Sequence, residues 1–268
     1  MKILEKSISL NNAKLFYYDN EVDSKLSLMF IHGNSMSAEL FEFQLKSEQL
    51  NTYRLIALDL PGHGQSERLD QYSVMTFRDT ISGFAKAMSL GSYVIVGHSF
   101  GGHFLIQSLP RLLGCVGLVL IGTPPIKKPL NLDKAFLPNP TMPLLFKKDL
   151  EENEYNEFAD SVAGKDHNQF MKKAIKTSDP KFREDLMGSI HNGDLEDEVE
   201  LLRKAKIPMA FFAGTNDSLV NNNYIEQLSI PQIFKGELLF IKNSTHSPHL
   251  ENPKHFNQLL LEFIYSLK

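Results

Sequence analysis

The sequence predicts an α/β fold: a mostly parallel, doubly wound sheet with an inserted helical segment. Six short apolar runs have the character of strands buried on both faces, and amphipathic helical patterns lie between most of them. The alternation then fails over one stretch, 124–192, before resuming. At 268 residues with 42% hydrophobic content, the chain can build one large core without a second domain.

Residues 3–10 and 13–19 read as a β-hairpin closed by Asn11-Asn12, because asparagine accepts the positive φ of a tight turn. The buried-strand runs follow at 26–31, 53–58, 93–96, 116–121, 208–212 and 237–241. Helical periodicity is clearest at 77–88, 195–205 and 256–267, and a helix is required after residue 99, where Phe104 to Leu109 supply it. Between Pro124 and Pro143 fall six of the thirteen prolines, which break regular structure. From Asp149 onward the pattern returns to amphipathic helix, with Phe158, Val162, Phe170, Ile175 and Leu186 on the apolar face. The expected division is therefore a core of 1–123 and 193–268 with a helical lid at 124–192, seated above the carboxyl ends of the strands.

The formal charge of −4 provides no basic field for nucleic acid or anionic lipid, and no apolar run approaches the ~20 residues that span a bilayer. Charge in Met1-Lys2-Ile3-Leu4-Glu5-Lys6 interrupts any signal-peptide core. The expectation is a soluble, cytoplasmic protein with a small-molecule partner, no nucleic-acid or membrane partner, and an oligomeric state on which the sequence is silent. Cys115, the single cysteine, excludes an internal disulfide and reads as a buried thiol in a strand.

The chemistry concentrates in Gly97-His98-Ser99-Phe100-Gly101, a G-x-S-x-G between an apolar strand and a helix. That context makes it a nucleophile elbow, whose tight turn lifts the serine hydroxyl clear of the sheet. Serine at its own pKa is a poor nucleophile, so Ser99 needs a base, and the base needs an acid to fix its tautomer. Asp217, in the Gly214-Thr215-Asn216-Asp217 turn after the strand at 208–212, fits the acid; Asn216 cannot supply the charge. His246 follows the last strand immediately and fits the base. His249 and His255 lie closer to or within the next helix, His249 reading as a pocket or surface histidine. A metal pair of His246 and His249 has no further ligands nearby, so neither metal nor cofactor is expected.

An oxyanion formed by attack on a carbonyl needs preorganised donors. The backbone N–H groups of Phe100 and of Asn34, in His32-Gly33-Asn34-Ser35 after the strand at 26–31, fit that role, and Gly33 lets the chain turn inward beside the substrate. His32 and His98 read as loop braces, while His103 on the elbow helix is left open between structure and site. Asp59-Leu60-Pro61-Gly62-His63-Gly64 lacks any phosphate-binding spacing and reads as loop architecture. Phe136, Leu144, Phe146, Phe158 and Phe170 offer apolar surface for an acyl chain.

With these motifs in order, the whole chain resembles the α/β-hydrolase superfamily of lidded, cofactor-free serine hydrolases. Within it, Ile31-His32-Gly33-Asn34-Ser35, Asp59-Leu60-Pro61-Gly62-His63-Gly64, Gly101-Gly102-His103 and Ile121-Gly122-Thr123-Pro124-Pro125 look like the metal-independent N-acyl-homoserine lactonases. That resemblance implies a lid tyrosine beside the substrate; its place here falls on Phe158, which has no hydroxyl, with Tyr155 a helical turn away as a substitute. Such lactonases also carry glutamate where Asp217 stands. The implied function is serine-dependent opening of a carboxylic ester or lactone, N-acyl-homoserine lactone first, with a general carboxylesterase or carbon–carbon bond hydrolase as the alternative and a signal receptor on the same fold as a non-enzymatic rival. Serine rather than aspartate at the elbow argues against chemistry that passes through an alkyl-enzyme ester.

Overall fold

The computed structural model of the chain describes residues 2–11 and 13–267. Among these residues the strands are β1 (Leu4–Leu10), β2 (Ala13–Asp19), β3 (Leu26–Ile31), β4 (Arg54–Leu58), β5 (Ser92–His98), β6 (Cys115–Ile121), β7 (Met209–Gly214) and β8 (Leu239–Ile241). Asn11 takes the positive φ expected at the β1–β2 turn, at 52°; Asn12 lies outside the described residues. The sheet order is β1-β2-β4-β3-β5-β6-β7-β8, antiparallel at β1–β2 and β2–β4 and parallel from β4 onward.

Alternation along the central strands explains why they read as unbroken apolar runs. Met29 and Ile31 enter one buried cluster while Leu28 and Phe30 enter the other, and Leu118 and Leu120 are likewise separated from Val119 and Ile121. Both faces of the sheet are covered, so neither parity of residue can be polar. One cluster includes Phe77 and Ile81 from the helix that follows β4, and the other includes Phe256 and Leu260 from the final helix.

The helices are α1 (Glu42–Leu45), α2 (Val74–Ala87), α3 (Phe100–Ser108), α4 (Leu132–Ala135), α5 (Glu152–Ala163), α6 (Asn168–Thr177), α7 (Pro180–His191), α8 (Glu198–Lys204), α9 (Asn222–Glu226), α10 (Pro248–Glu251) and α11 (Pro253–Tyr265). Sequence signals set several starts: Ser73, Asp179 and Asp197 accept bonds from N–H groups in the first turns of α2, α7 and α8. Pro180 and Pro253 open α7 and α11, where a missing N–H costs nothing.

The connection between β6 and α8 carries α4 through α7, so the amphipathic stretch resolves into three helices, α5 to α7. Phe158, Val162, Ile175 and Leu186 are buried there and Phe170 is partly so. No helix among the described residues is long and apolar enough to cross a membrane. Cys115 opens β6 as a free, partly buried thiol whose pKa burial pushes up to about 12.

The chain changes direction across the sheet at β3, which has β4 on one side and β5 on the other. The loops leaving β3 and β5 therefore diverge at their carboxyl ends and open a crevice between them, where such sheets receive ligands.

Candidate active site

Ser99 sits in that crevice, between the end of β5 and the start of α3, at φ 53° and ψ −122°. This backbone state strains a residue with a Cβ by roughly 1–3 kcal/mol. Its neighbours show why the turn needs glycine: a Cβ on Gly101 would lie 2.4 Å from the His32 carbonyl oxygen, and one on Gly97 would lie 2.8 Å from Gly102 Cα. Ser99 N–H donates to Ile121 O at 2.8 Å, which pins the elbow to β6.

Asp217 and His246 arrive from the loops after β7 and β8. His246 Nε2 is 2.9 Å from Ser99 Oγ and Nδ1 is 2.8 Å from Asp217 Oδ2. Asp217 also accepts Leu219 N–H at 2.8 Å and Val220 N–H at 3.2 Å. Burial alone would raise its pKa, but His246 and these donors outweigh burial and hold the carboxyl below the usual range. An ionised Asp217 requires the hydrogen on His246 Nδ1, leaving Nε2 free to accept the serine proton.

The loops that carry Asp217 and His246 are fastened to each other. Thr215 N–H donates to Ile241 O at 3.0 Å and Asn216 N–H to Ser244 O at 2.9 Å. Glu251, one turn into the following helix, accepts from Thr245 N–H, the Thr245 hydroxyl and Ser247 N–H, at 2.9, 2.8 and 3.1 Å. His98 Nε2 donates to His246 O at 3.0 Å. Glu251 drew no role from the sequence, because a single carboxylate on an amphipathic helix gives no sign of what it faces.

Asn34 and Phe100 flank Ser99. Phe100 opens α3, where first-turn N–H groups have no acceptor within the helix. The Asn34 side chain is occupied: its amide donates to Leu145 O at 2.7 Å and its carbonyl accepts from Ser35 Oγ at 2.7 Å. Gly33 packs under the elbow, where a Cβ would lie 3.1 Å from Ser99 Cβ. His32 braces this loop by accepting from Leu60 N–H at 3.0 Å and donating to Gly33 O at 2.8 Å. In the Asp59 turn the carboxylate caps the loop by accepting from Ala38 and Gln65 N–H groups, at 2.6 and 2.8 Å.

Over Ser99 and His246 lies a cavity of about 380 Å³ whose wall is apolar apart from a few groups. The insertion supplies Phe136, Met142, Leu145 and Phe146, and α7 supplies Leu186 and Ile190. A larger, more open cleft of about 660 Å³ lies at the amino ends of β5 and β6, with neither Ser99 nor any histidine on its wall.

Six residues singled out in the sequence need correction against this wall. Phe158 does not line the cavity; it is fully buried on the core side of α5, in the same cluster as Val162, Met171 and Leu250. Tyr155 faces away as well, with Lys176 Nζ 5.2 Å above its ring. Gly33 lies behind Ser99 rather than on the wall, and Leu144 and Phe170 are also absent from it. His249 is neither a pocket nor a surface histidine: it is buried against Phe41 and His98, with ring centroids 4.9 and 4.8 Å apart. The helical period that marked Phe158 as apolar cannot distinguish a core-facing stripe from a ligand-facing one.

Arg183 was not singled out by the sequence. It is 1% exposed and, among the described residues, forms no ion pair, donating instead to Lys147 O, Lys148 O and Ser35 Oγ at 2.7, 2.6 and 3.0 Å. Among the described residues, no group of three or more His, Cys, Asp or Glu side chains is arranged to hold a metal ion.

Residues 28–258 match the model of the Alpha/beta hydrolase family. This chain belongs to that family. It is a hydrolytic enzyme with esterase and lactonase relatives. The AB hydrolase superfamily protein YisY of Bacillus subtilis is 26% identical over 254 residues, 88% of this chain and 90% of that one. The bifunctional esterase/perhydrolase DCH of Acinetobacter calcoaceticus is 23% identical over 94% of this chain and 96% of its own. Among solved structures, a mutant of the N-acyl homoserine lactonase AidH complexed with N-hexanoyl homoserine superposes with a TM-score of 0.94 at 25% identity, covering 100% of this chain and 98% of that one.

Proposed function

We propose that this hydrolase opens carboxylic esters or lactones through an acyl-enzyme on Ser99, with N-acyl-homoserine lactones as the best single substrate class. The observation that carries the reading is the unbroken hydrogen-bonded line from Asp217 through His246 to Ser99 Oγ, ending beneath an apolar cavity. As Oγ attacks the carbonyl carbon, His246 Nε2 takes the serine proton and Asp217 stabilises the imidazolium. The Phe100 and Asn34 N–H groups hold the oxyanion, each contributing about 10²–10³ in rate. Collapse breaks the bond to the leaving oxygen, which receives its proton from His246; in a lactone that oxygen stays attached to the acyl part. Water, deprotonated by His246, then attacks the acyl-enzyme and frees Ser99. Residues 124–192 act as a lid whose Phe136 and Phe146 side chains meet the acyl chain.

The lactonase assignment draws on the likeness to AidH. A general carboxylesterase is the second reading, favoured by one observation: neither Phe158 nor Tyr155 reaches the cavity wall, so no lid tyrosine faces the substrate from either position. Acid release measured with a pH indicator, on short- and long-chain lactones beside simple esters and after exhaustive EDTA treatment, decides between them. Lactone opening that survives EDTA supports the proposal. Cleavage of esters alone leaves the carboxylesterase, and activity lost to EDTA and restored by zinc overturns the mechanism.

A further inference from the structure

The cavity wall carries a second histidine held by a second carboxylate. His103 lies on α3 four residues after Ser99, about one helical turn or ~6 Å along the axis, and lines the same cavity. Its Nδ1 is 2.8 Å from Glu198 Oε2. Glu198 is fully buried and also accepts Ile126 N–H at 2.8 Å and the Gln107 amide at 3.4 Å. A carboxylate surrounded by donors in this way accepts from His103 Nδ1–H, and in that tautomer Nε2 is the acceptor atom of the ring. The bond to Glu198 is the only side-chain hydrogen bond of His103 among the described residues. The rings of Phe100 and Phe136 flank it, at 5.7 and 6.4 Å between centroids.

Anchoring α3 to α8 would need only Nδ1. An acceptor on a wall that is apolar apart from Ser99, His246 and Asp133 is costly to desolvate unless the ligand satisfies it, and a site built that way discriminates strongly against analogues lacking the donor. We propose that His103 is a specificity-determining residue whose Nε2 accepts a hydrogen bond from a donor on the acid part of the substrate, within a few bonds of the scissile carbonyl. The favoured substrates are esters or lactones whose acyl group carries a hydroxyl or amide N–H near the carbonyl, rather than plain fatty acyl groups. This inference rests on the ester-hydrolase reading above.

The test compares three methyl esters of matched length by acid release: hexanoate, 3-hydroxyhexanoate, and the ester of an N-acylglycine. The two donor-bearing esters separate hydroxyl from amide recognition. Wild-type enzyme is expected to favour at least one of them over hexanoate by about tenfold or more in kcat/KM. In His103→Phe that ratio falls to near one, and in His103→Gln, which restores an acceptor at similar reach, part of it returns. A wild-type ratio near one or below, with hexanoate cleaved, overturns this inference alone and needs no variant to fold. A ratio that persists in His103→Phe overturns it too. Failure to cleave any ester or lactone overturns the ester-hydrolase reading and this inference with it.

Discussion

Ser99, Asp217 and His246 descend from the ends of three parallel strands whose spacing the sheet imposes, whereas Phe136, Leu145 and Phe146 reach the same cavity from an insertion tied to the core at scattered points. The floor is held by backbone bonds such as Ser99 N–H to Ile121 O and Asn216 N–H to Ser244 O. The roof leans on side chains: Asn34 holds Leu145 O, and Arg183 holds the 147–148 segment against Ser35. Backbone bonds join the two regions as well, with Leu137 N–H on Leu219 O, Asn221 N–H on Ala135 O, Asp179 N–H on Gly62 O and Glu198 N–H on Ile126 O. Chemistry placed on the floor is fixed by the fold itself; selectivity placed on the roof can vary without disturbing it.

The largest effects should therefore come from the floor. Ser99→Ala and His246→Ala are each expected to lower kcat for any cleaved ester by about 10⁴-fold or more, because such residues act as a unit. Asp217→Asn should come close to that, since an amide favours the wrong imidazole tautomer. Steady-state kinetics beside circular dichroism check this; near-normal turnover in a folded Ser99→Ala protein would place the nucleophile elsewhere.

Next comes the bolt between the two regions. Arg183→Met removes a buried cation whose hydrogen-bond partners are all neutral and leaves the Lys147 and Lys148 carbonyls and the buried Ser35 hydroxyl without this donor. A loss of about 2–4 kcal/mol in urea denaturation is expected, since a buried group left unpaired costs about 1–3 kcal/mol. Because Ser35 adjoins Asn34, kcat should fall about tenfold while the nucleophile still reacts with a serine-directed organophosphonate. Unchanged kcat would mean that the roof and the oxyanion loop are not coupled through Arg183.

Much of the floor was legible in the sequence because it follows from period and order. Strand limits at 26–31 and 116–121 fall within a residue of β3 and β6, and the turns after β5, β7 and β8 bring together the three residues whose order along the chain marked them. The roof was not legible for a physical reason. Phe158 and Phe146 are equally apolar, and only the three-dimensional course of the insertion decides that Phe158 enters the core while Phe146 meets the cavity. His249 shows the same limit, for a histidine two residues into a helix reads as exposed until Phe41 and Phe256 close over it. Arg183 looks like any surface cation on an amphipathic helix.

The floor also carries an acid sensitivity that His249 exposes. Neither of its ring nitrogens has a hydrogen-bond partner, and burial, with His246 adding repulsion, lowers its pKa to about 3. The unfolded chain takes up that proton near pH 6.5, so the native state is penalised progressively as pH falls from 6.5 toward 3, by about 2 kcal/mol at pH 5. His63, lowered to about 4 by burial, acts in the same direction, whereas Asp59, raised to about 6 by burial, stabilises the native state as pH falls from 6 to about 4. The His249→Phe variant should lose less stability than the wild type between pH 6.5 and 5 in urea titrations at each pH. Parallel profiles for the two proteins would show that His249 does not titrate as its burial requires.

The smallest effect on turnover is expected where the sequence pointed most directly, at Phe158. Phe146 lines the cavity and packs edge-on to Phe100 at 5.7 Å, so Phe146→Ala should change the ratio of kcat/KM between long- and short-chain esters by roughly tenfold, the range a side chain of that size commands in an apolar pocket. Phe158 touches only core. Adding a hydroxyl by Phe158→Tyr buries a polar group among Val162, Met171 and Leu250, so the variant should be less stable by about 1–3 kcal/mol. Its chain-length ratio and its activity on lactones should stay within twofold of wild type. A gain in lactone turnover from Phe158→Tyr, with no loss of stability, would mean that α5 turns this side chain into the cavity when substrate is bound, and that the roof is rebuilt by the ligand rather than merely lined by it.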